Sequence, residues 1–152
     1  DLFGKITGSL LGKVRELHHT IKGYDKAPSA VSKAKDNIRN ANLEEYVTIT
    51  EDNFFDSEKT SEGKLHIVFN PPYDERLDIQ MEKFCKNFGD SLKKSYPGTN
   101  AWFITGNLEA LKFVGLRPSR KIKLFNAGLE AGLVKYEMYE GSKRTKFQVE
   151  KE

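Results

Sequence analysis

The chain has almost no cysteine, no long apolar run and no excess of acidic charge, and each shortage narrows what it can be. A single cysteine, Cys85, rules out an internal disulfide framework and suits a reducing compartment such as the cytoplasm. It falls on the apolar side of a helix and is expected to fill the core. His18 and His19 are the only adjacent histidines and His66 is expected inside a buried strand, so no metal-ligand spacing results and no metal is expected. No apolar stretch approaches the roughly 20 residues that cross a bilayer, which argues against a membrane partner, and Asp1-Leu2-Phe3 does not begin a signal peptide. That start also lacks an initiator Met, so the sequence reads as a processed or excised piece. Internal repeats and low-complexity linkers are missing too, and 152 residues suit one domain.

What is present is an alternation of helical and strand-like segments. Leu10, Leu11, Val14 and Leu17 predict an amphipathic helix over 9–18. A short strand at 20–24 ends at Asp25, and Pro28 suits the first turn of a helix with Val31, Ala34, Ile38 and Ala41 on its buried stripe. Strands follow at 46–50 and 65–69, the second almost continuously apolar, as expected for a parallel strand covered on both faces. Met81, Phe84, Cys85, Phe88 and Leu92 mark one face of the next helix. After a buried strand at 101–105, Asn107 can cap a short helix carrying Leu108, Leu111 and Val114. The alternating segments 121–125 and 133–138, joined through Asn126-Ala127-Gly128, predict an antiparallel pair closing a mostly parallel sheet. The fold class is therefore α/β, in three layers.

In open α/β sheets, ligands bind beyond the carboxyl ends of the strands. Asp25 and Asp52 stand at two such ends. Either carboxylate could accept hydrogen bonds from a ribose or approach an adenine amine, or simply favour a helix N-terminus. Asn70-Pro71-Pro72-Tyr73 is more specific. Two prolines after a buried strand stiffen the chain, so the Asn70 side chain and the Pro71 carbonyl hold fixed directions. Two rigid acceptors followed by an aromatic ring suit a planar base that bears an exocyclic amine. The net charge of +3 is modest, but Arg117, Arg120, Lys121 and Lys123 lie close together, and Lys143, Arg144 and Lys146 crowd the end. Such clusters can neutralise phosphates or merely be solvated.

With Phe69 before it and Glu75-Arg76-Leu77 after it, the tetrapeptide resembles the Asn-Pro-Pro-Tyr signature of amino-group methyltransferases that use S-adenosyl-L-methionine (SAM). It most resembles the bacterial 23S rRNA guanine-N2 methyltransferases that carry an N-terminal THUMP domain. Gly23-Tyr24-Asp25-Lys26-Ala27-Pro28, Ala34-Lys35-Asp36-Asn37, Gly89-Asp90-Ser91-Leu92-Lys93, Leu116-Arg117-Pro118-Ser119-Arg120 and Leu124-Phe125-Asn126-Ala127-Gly128-Leu129-Glu130 extend the likeness over about 9–146. The resemblance implies a Rossmann-like SAM methyltransferase fold. It also implies methyl transfer to the N2 amine of a guanine, ribosomal RNA as partner, an upstream THUMP domain and a cytoplasmic location. Carried over by position, Asp25 would hold the SAM ribose and Asp52 would lie by the adenine. Asn70 and Pro71 would hold the target amine, Pro72 would stiffen the turn and Tyr73 would stack on the base.

The departures are also informative. The family's glycine-rich loop, which wraps the methionine end of SAM, should precede Asp25. Residues 1–11 imitate it superficially, but no strand precedes their glycines and Lys5-Ile6 interrupts the pattern. They are read instead as the start of a helix, which leaves the sheet without its first, central strand. Asp74 replaces the family's usual glycine, and Ala131-Gly132 is expected to weaken the last strand. Two other readings stay open: a SAM-dependent DNA adenine-N6 methyltransferase, and a non-catalytic RNA-binding fragment of the fold.

Overall fold

The structure, a computed structural model, describes residues 1–71, 78–126 and 128–140. It divides into two compact units, Asp1–Phe54 and Phe55–Glu152. In the first, helix α1 spans Leu2–Leu11, with the Asp1 carboxylate accepting from the Phe3 N–H at 3.1 Å. The helix expected over 9–18 is thus displaced towards the N-terminus. It stops where the Gly12 N–H bonds Gly8 O, and tighter bonds from Lys13 to Leu10 and Val14 to Leu11 end the coil. α1 buries no side chain, and Leu10, Leu11, Val14 and Leu17 are exposed. Without a partner for the apolar stripe, nothing extends the helix past a glycine. Residues 1–11 are helical rather than a glycine loop, as their sequence favours.

Strand β1 (Ile21–Asp25) pairs in parallel with β2 (Val47–Glu51), in register from Ile21 opposite Val47 to Asp25 opposite Glu51. The crossover between them is α2 (Pro28–Asn40), which opens on Pro28, whose missing N–H costs nothing there, and buries Val31. Parallel strands need such a crossover, and a helix is the usual one.

The second unit begins with β3 (Leu65–Phe69), α3 (Asp78–Ser95) and β4 (Thr99–Thr105). A 3-10 helix (Glu109–Val114), β5 (Arg120–Asn126) and β6 (Leu129–Glu137) complete it. The sheet order is β3-β4-β6-β5. β3 and β4 are parallel, and β6 is antiparallel to both its neighbours, so β3, β4 and β5 all run one way. Only the last strand is reversed, as the alternating C-terminal segments predict. No described strand joins this sheet to the β1-β2 pair.

The core of the second unit is aromatic. Cys85, Phe88 and Leu92 on α3 are fully buried, as the helical spacing predicts, with Phe103 and Tyr136 against them. The Phe88 ring lies 5.0 Å from Phe69, 4.9 Å from Phe103 and 6.3 Å from Tyr136, in tilted or edge-on contacts that suit ring quadrupoles. Gly89 brings α3 against the 3-10 helix: a Cβ there would lie 1.8 Å from the Val114 carbonyl oxygen.

Three expectations need correction. β3 is not covered on both faces: Leu65, Ile67 and Phe69 turn inward, whereas His66 is exposed and Val68 is 76% exposed. Within the second unit, α3 and the 3-10 helix Glu109–Val114 pack together, and no described helix of this unit lies over Val68. Ala131-Gly132 does not break the last strand; both are buried, and bare Gly132 admits Leu108, whose Cδ2 would stand 2.5 Å from a Cβ. Leu108 itself remains 41% exposed, so of the expected stripe Val114 alone is fully covered.

Candidate active site

In the second unit, β3, β4 and β5 end on the same side of their sheet, the side where α/β folds bind ligands. Asn70 directly follows β3. Behind it, Phe69 is held edge-on against buried Phe88, so the strand delivers Asn70 from a packed base. Asn70 is exposed, its amide makes no side-chain hydrogen bond among the described residues, and Pro71 is buried. A buried proline anchors the backbone while the neighbouring amide faces outward. Pro72, Tyr73 and Asp74 lie outside the described residues.

The chain leaving β4 at the same end is tied down by polar bonds. The Thr105 Oγ1 accepts from the Asn107 N–H at 3.0 Å, and the Asn107 Oδ1 accepts from the Ala110 N–H at 3.0 Å. Asn107 thus caps the 3-10 helix, although by backbone geometry the flanking position is Leu108. Thr105 escaped the sequence reading, because a threonine at a strand end carries no distinctive signal.

In the first unit, Asp25 and Asp52 come together. Their strands end side by side, and the Asp52 N–H donates to the Asp25 carbonyl at 3.1 Å. The Asp25 Oδ1 accepts from the Ala27 N–H at 2.8 Å, just before α2, which is the helix-end role the sequence allows. Its other oxygen has no protein partner among the described residues, so the same carboxylate remains able to accept from a ligand hydroxyl. The Asp52 Oδ1 accepts from the Asn53 N–H at 2.7 Å.

The basic residues Arg117, Arg120, Lys121 and Lys123 are all exposed. Lys123 is paired with Glu130 at 2.6 Å, while Arg117, Arg120 and Lys121 have no acidic partner among the described residues. Arg120 and Lys121 occupy opposite faces of β5, so the cluster is not a single patch. Lys143, Arg144 and Lys146 lie outside the described residues.

Burial pushes the Cys85 thiol up to about 11, which leaves it unreactive at neutral pH. Burial, and then the neighbouring Cys85, push the Tyr136 phenol up to about 12. The Lys135 ammonium, hydrogen-bonded to Glu137, holds that carboxyl below its usual range. Among the described residues, no three His, Cys, Asp or Glu side chains gather as metal ligands would. None of the described helices is long and apolar enough to cross a membrane.

Comparison with known proteins identifies the family and the fold. Residues 9–137 match the family model described as UPF0020, RMKL-like methyltransferase domain. The chain is similar to the ribosomal RNA large subunit methyltransferase K/L of Cellvibrio japonicus, with 31% identity over 76% of this chain and 16% of that protein. The protein of the same name from Hahella chejuensis is 30% identical over 86% of this chain and 19% of its own length. The chain therefore spans under a fifth of these relatives. In fold it is similar to a possible methylase from Clostridium difficile 630, with TM-score 0.75 and 23% identity over 91% of this chain and 37% of that one. SMU.472, solved with SAH, gives 0.71 and 22% over 80% of this chain and 32% of that one. The fold is thus the mixed α/β, Rossmann-like architecture of SAM methyltransferases, and the chain belongs to the RMKL-like methyltransferase domain family.

Proposed function

We propose that this chain is the catalytic portion of a SAM-dependent methyltransferase acting on the exocyclic N2 amine of a guanine in large-subunit ribosomal RNA. The observation that carries the reading is Asn70: an outward-facing amide, without a partner among the described residues, at the carboxyl end of β3 and followed by a buried proline. Family membership and the names of the relatives support RNA as the substrate class. The upstream THUMP domain and the cytoplasmic location belong to the same proposal.

The residues present fit the adenosine end of SAM. The unengaged oxygen of Asp25 suits a ribose hydroxyl, and Asp52 beside it suits the adenine amine. For the methionine end, the first residues offer a helix instead of a glycine turn, so the described residues fit only part of the co-substrate. Bound SAM supplies an electrophilic methyl group, whose carbon–sulfur bond breaks as the carbon–nitrogen bond forms. Asn70 and the Pro71 carbonyl accept the two hydrogens of the target amine. Acceptors there draw the nitrogen lone pair out of conjugation and offset the positive charge that grows on it. Holding the amine in line supplies much of the remaining rate. The methylated nitrogen then sheds a proton to solvent, so no strong general base is required of this chain. Tyr73 stacks on the base, Pro72 keeps the turn stiff, and RNA phosphates are met by Lys121 and Lys123 on one face of β5, by Arg120 on the other, and by Arg117 just before the strand.

The test is transfer of labelled methyl groups from SAM by the full-length protein to unmodified 23S rRNA and, in parallel, to unmethylated DNA, followed by nucleoside analysis. N2-methylguanosine is the expected product. Label in N6-methyladenine of DNA would replace this reading with the adenine alternative.

A further inference from the structure

Along β5, Lys121, Lys123 and Phe125 alternate onto one face, opposite Val134, Gly132 and Glu130 of β6. Phe125 is 67% exposed, although a ring of that size normally seeks cover. The Lys123 ammonium lies 5.2 Å from its centroid, and exposed Leu108 sits on the same face over Gly132. Phe125 is near the carboxyl end of β5, the end of the sheet from which Asn70 emerges.

A lone exposed phenylalanine needs no explanation, and lysines on an edge strand can simply block aggregation. The combination is what differs here. A ring held open beside a cation, two same-face positions along β5 from a lysine with no acidic partner among the described residues, and at the substrate end of the sheet, has the chemistry of a single-stranded nucleic-acid platform. Resting on the reading that RNA is the substrate, we propose that Phe125 stacks against an unpaired nucleotide flanking the target. Lys121 contacts a phosphate further along the same strand, about 13 Å of backbone from the ring, and Lys123, partly neutralised by Glu130, steadies the ring and the backbone. A target inside folded RNA must leave its stack, and a ring that receives a neighbouring base would hold the strand open.

The test is fluorescence anisotropy of a labelled single-stranded RNA of about 12 nucleotides, and of a blunt duplex, with the whole chain. Phe125→Ala should weaken single-strand binding about five- to a hundredfold without changing its salt dependence, and leave duplex binding unaltered. Phe125→Trp should keep or improve the affinity. Lys121→Glu should instead flatten the salt slope by about one unit. Circular dichroism should show all variants folded, since neither side chain is buried. If Phe125→Ala binds as the parent does while Lys121→Glu is impaired, the face is a charged edge and the proposal falls. It falls equally if the parent binds no single-stranded RNA. Phe125-dependent binding with no guanine methylation by the full-length protein would remove the catalytic reading and leave this one standing.

Discussion

Replacing Gly89 by Ala should destabilise the second unit, against the usual effect of that substitution in a helix. In an exposed helix interior, Gly→Ala gains about 1 kcal/mol, because the glycine backbone loses more freedom on folding. Gly89 is inside α3, but its Cβ would stand 1.8 Å from the Val114 carbonyl oxygen and 2.8 Å from its carbon. An ordinary contact requires about 3.4 Å, so the 3-10 helix must retreat by roughly 1.5 Å. The obstruction is backbone, and no rotamer change relieves it. Overpacking of this kind costs about 1–3 kcal/mol, with rigid neighbours at or beyond the upper end. Net of the propensity gain, a loss of at least about 2 kcal/mol is expected, or roughly 8–16 °C in Tm for a unit of this size. Thermal unfolding followed by circular dichroism measures it directly. Gly8→Ala in α1 is the control: nothing lies within 4 Å of the added carbon, so it should only increase helicity. A Gly89→Ala protein as stable as its parent would refute the reasoning about the α3 contact.

Stability should fall at alkaline pH. Burial keeps Cys85 and Tyr136 neutral, so their contribution is intact below the unfolded values of 9.0 and 10.0 and is lost as pH rises through about 11 and 12. Denaturant titrations across that range check the sign. Tyr136→Phe should remove part of the slope without destabilising the protein at pH 7, because the buried hydroxyl has no hydrogen-bond partner among the described residues. Reversing Arg120 and Lys121 to Glu should flatten the salt dependence of RNA binding by about two units, read by anisotropy; an unchanged slope would return them to a solvated surface. The 152-residue chain alone should bind SAM weakly in calorimetry. Losing hydrogen bonds to the methionine end, together about 3–4 kcal/mol, lowers affinity two to three orders of magnitude. Micromolar affinity would show that residues 1–11 serve that end after all.

Much of this architecture was legible in the sequence, for identifiable reasons. Cys85, Phe88 and Leu92 recur at helical spacing and are fully buried, because α3 has a complete apolar face and a sheet to lay it on. Leu65–Phe69 is strand β3 with the predicted bounds. Its hydrophobicity could not reveal whether a second layer covers Val68, since composition records what a residue tolerates, not what lies over it. The helix near the N-terminus was misplaced for a similar reason. Leu10, Leu11, Val14 and Leu17 have the right period, but periodicity stabilises a helix only where the stripe finds a partner. At the candidate site, Asp25 and Asn70 stand at the strand ends where the sequence puts them. Phe125 was passed over as one member of an alternating strand. Its signal was present in the spacing of Lys121, Lys123 and Phe125; the register puts them on the face of buried Val134 and Gly132, and only the edge position of β5 leaves Phe125 exposed.

The central claim, that Asn70 holds the target amine in the transition state, is tested most directly by Asn70→Ala in the full-length protein. Single-turnover methyl transfer to unmodified 23S rRNA should be measured alongside SAM affinity. Loss of one preorganised acceptor costs about 3 kcal/mol of transition-state stabilisation, so transfer should slow about a hundredfold while SAM binding changes little. Near-normal turnover, or a loss residing wholly in SAM affinity, would contradict the account.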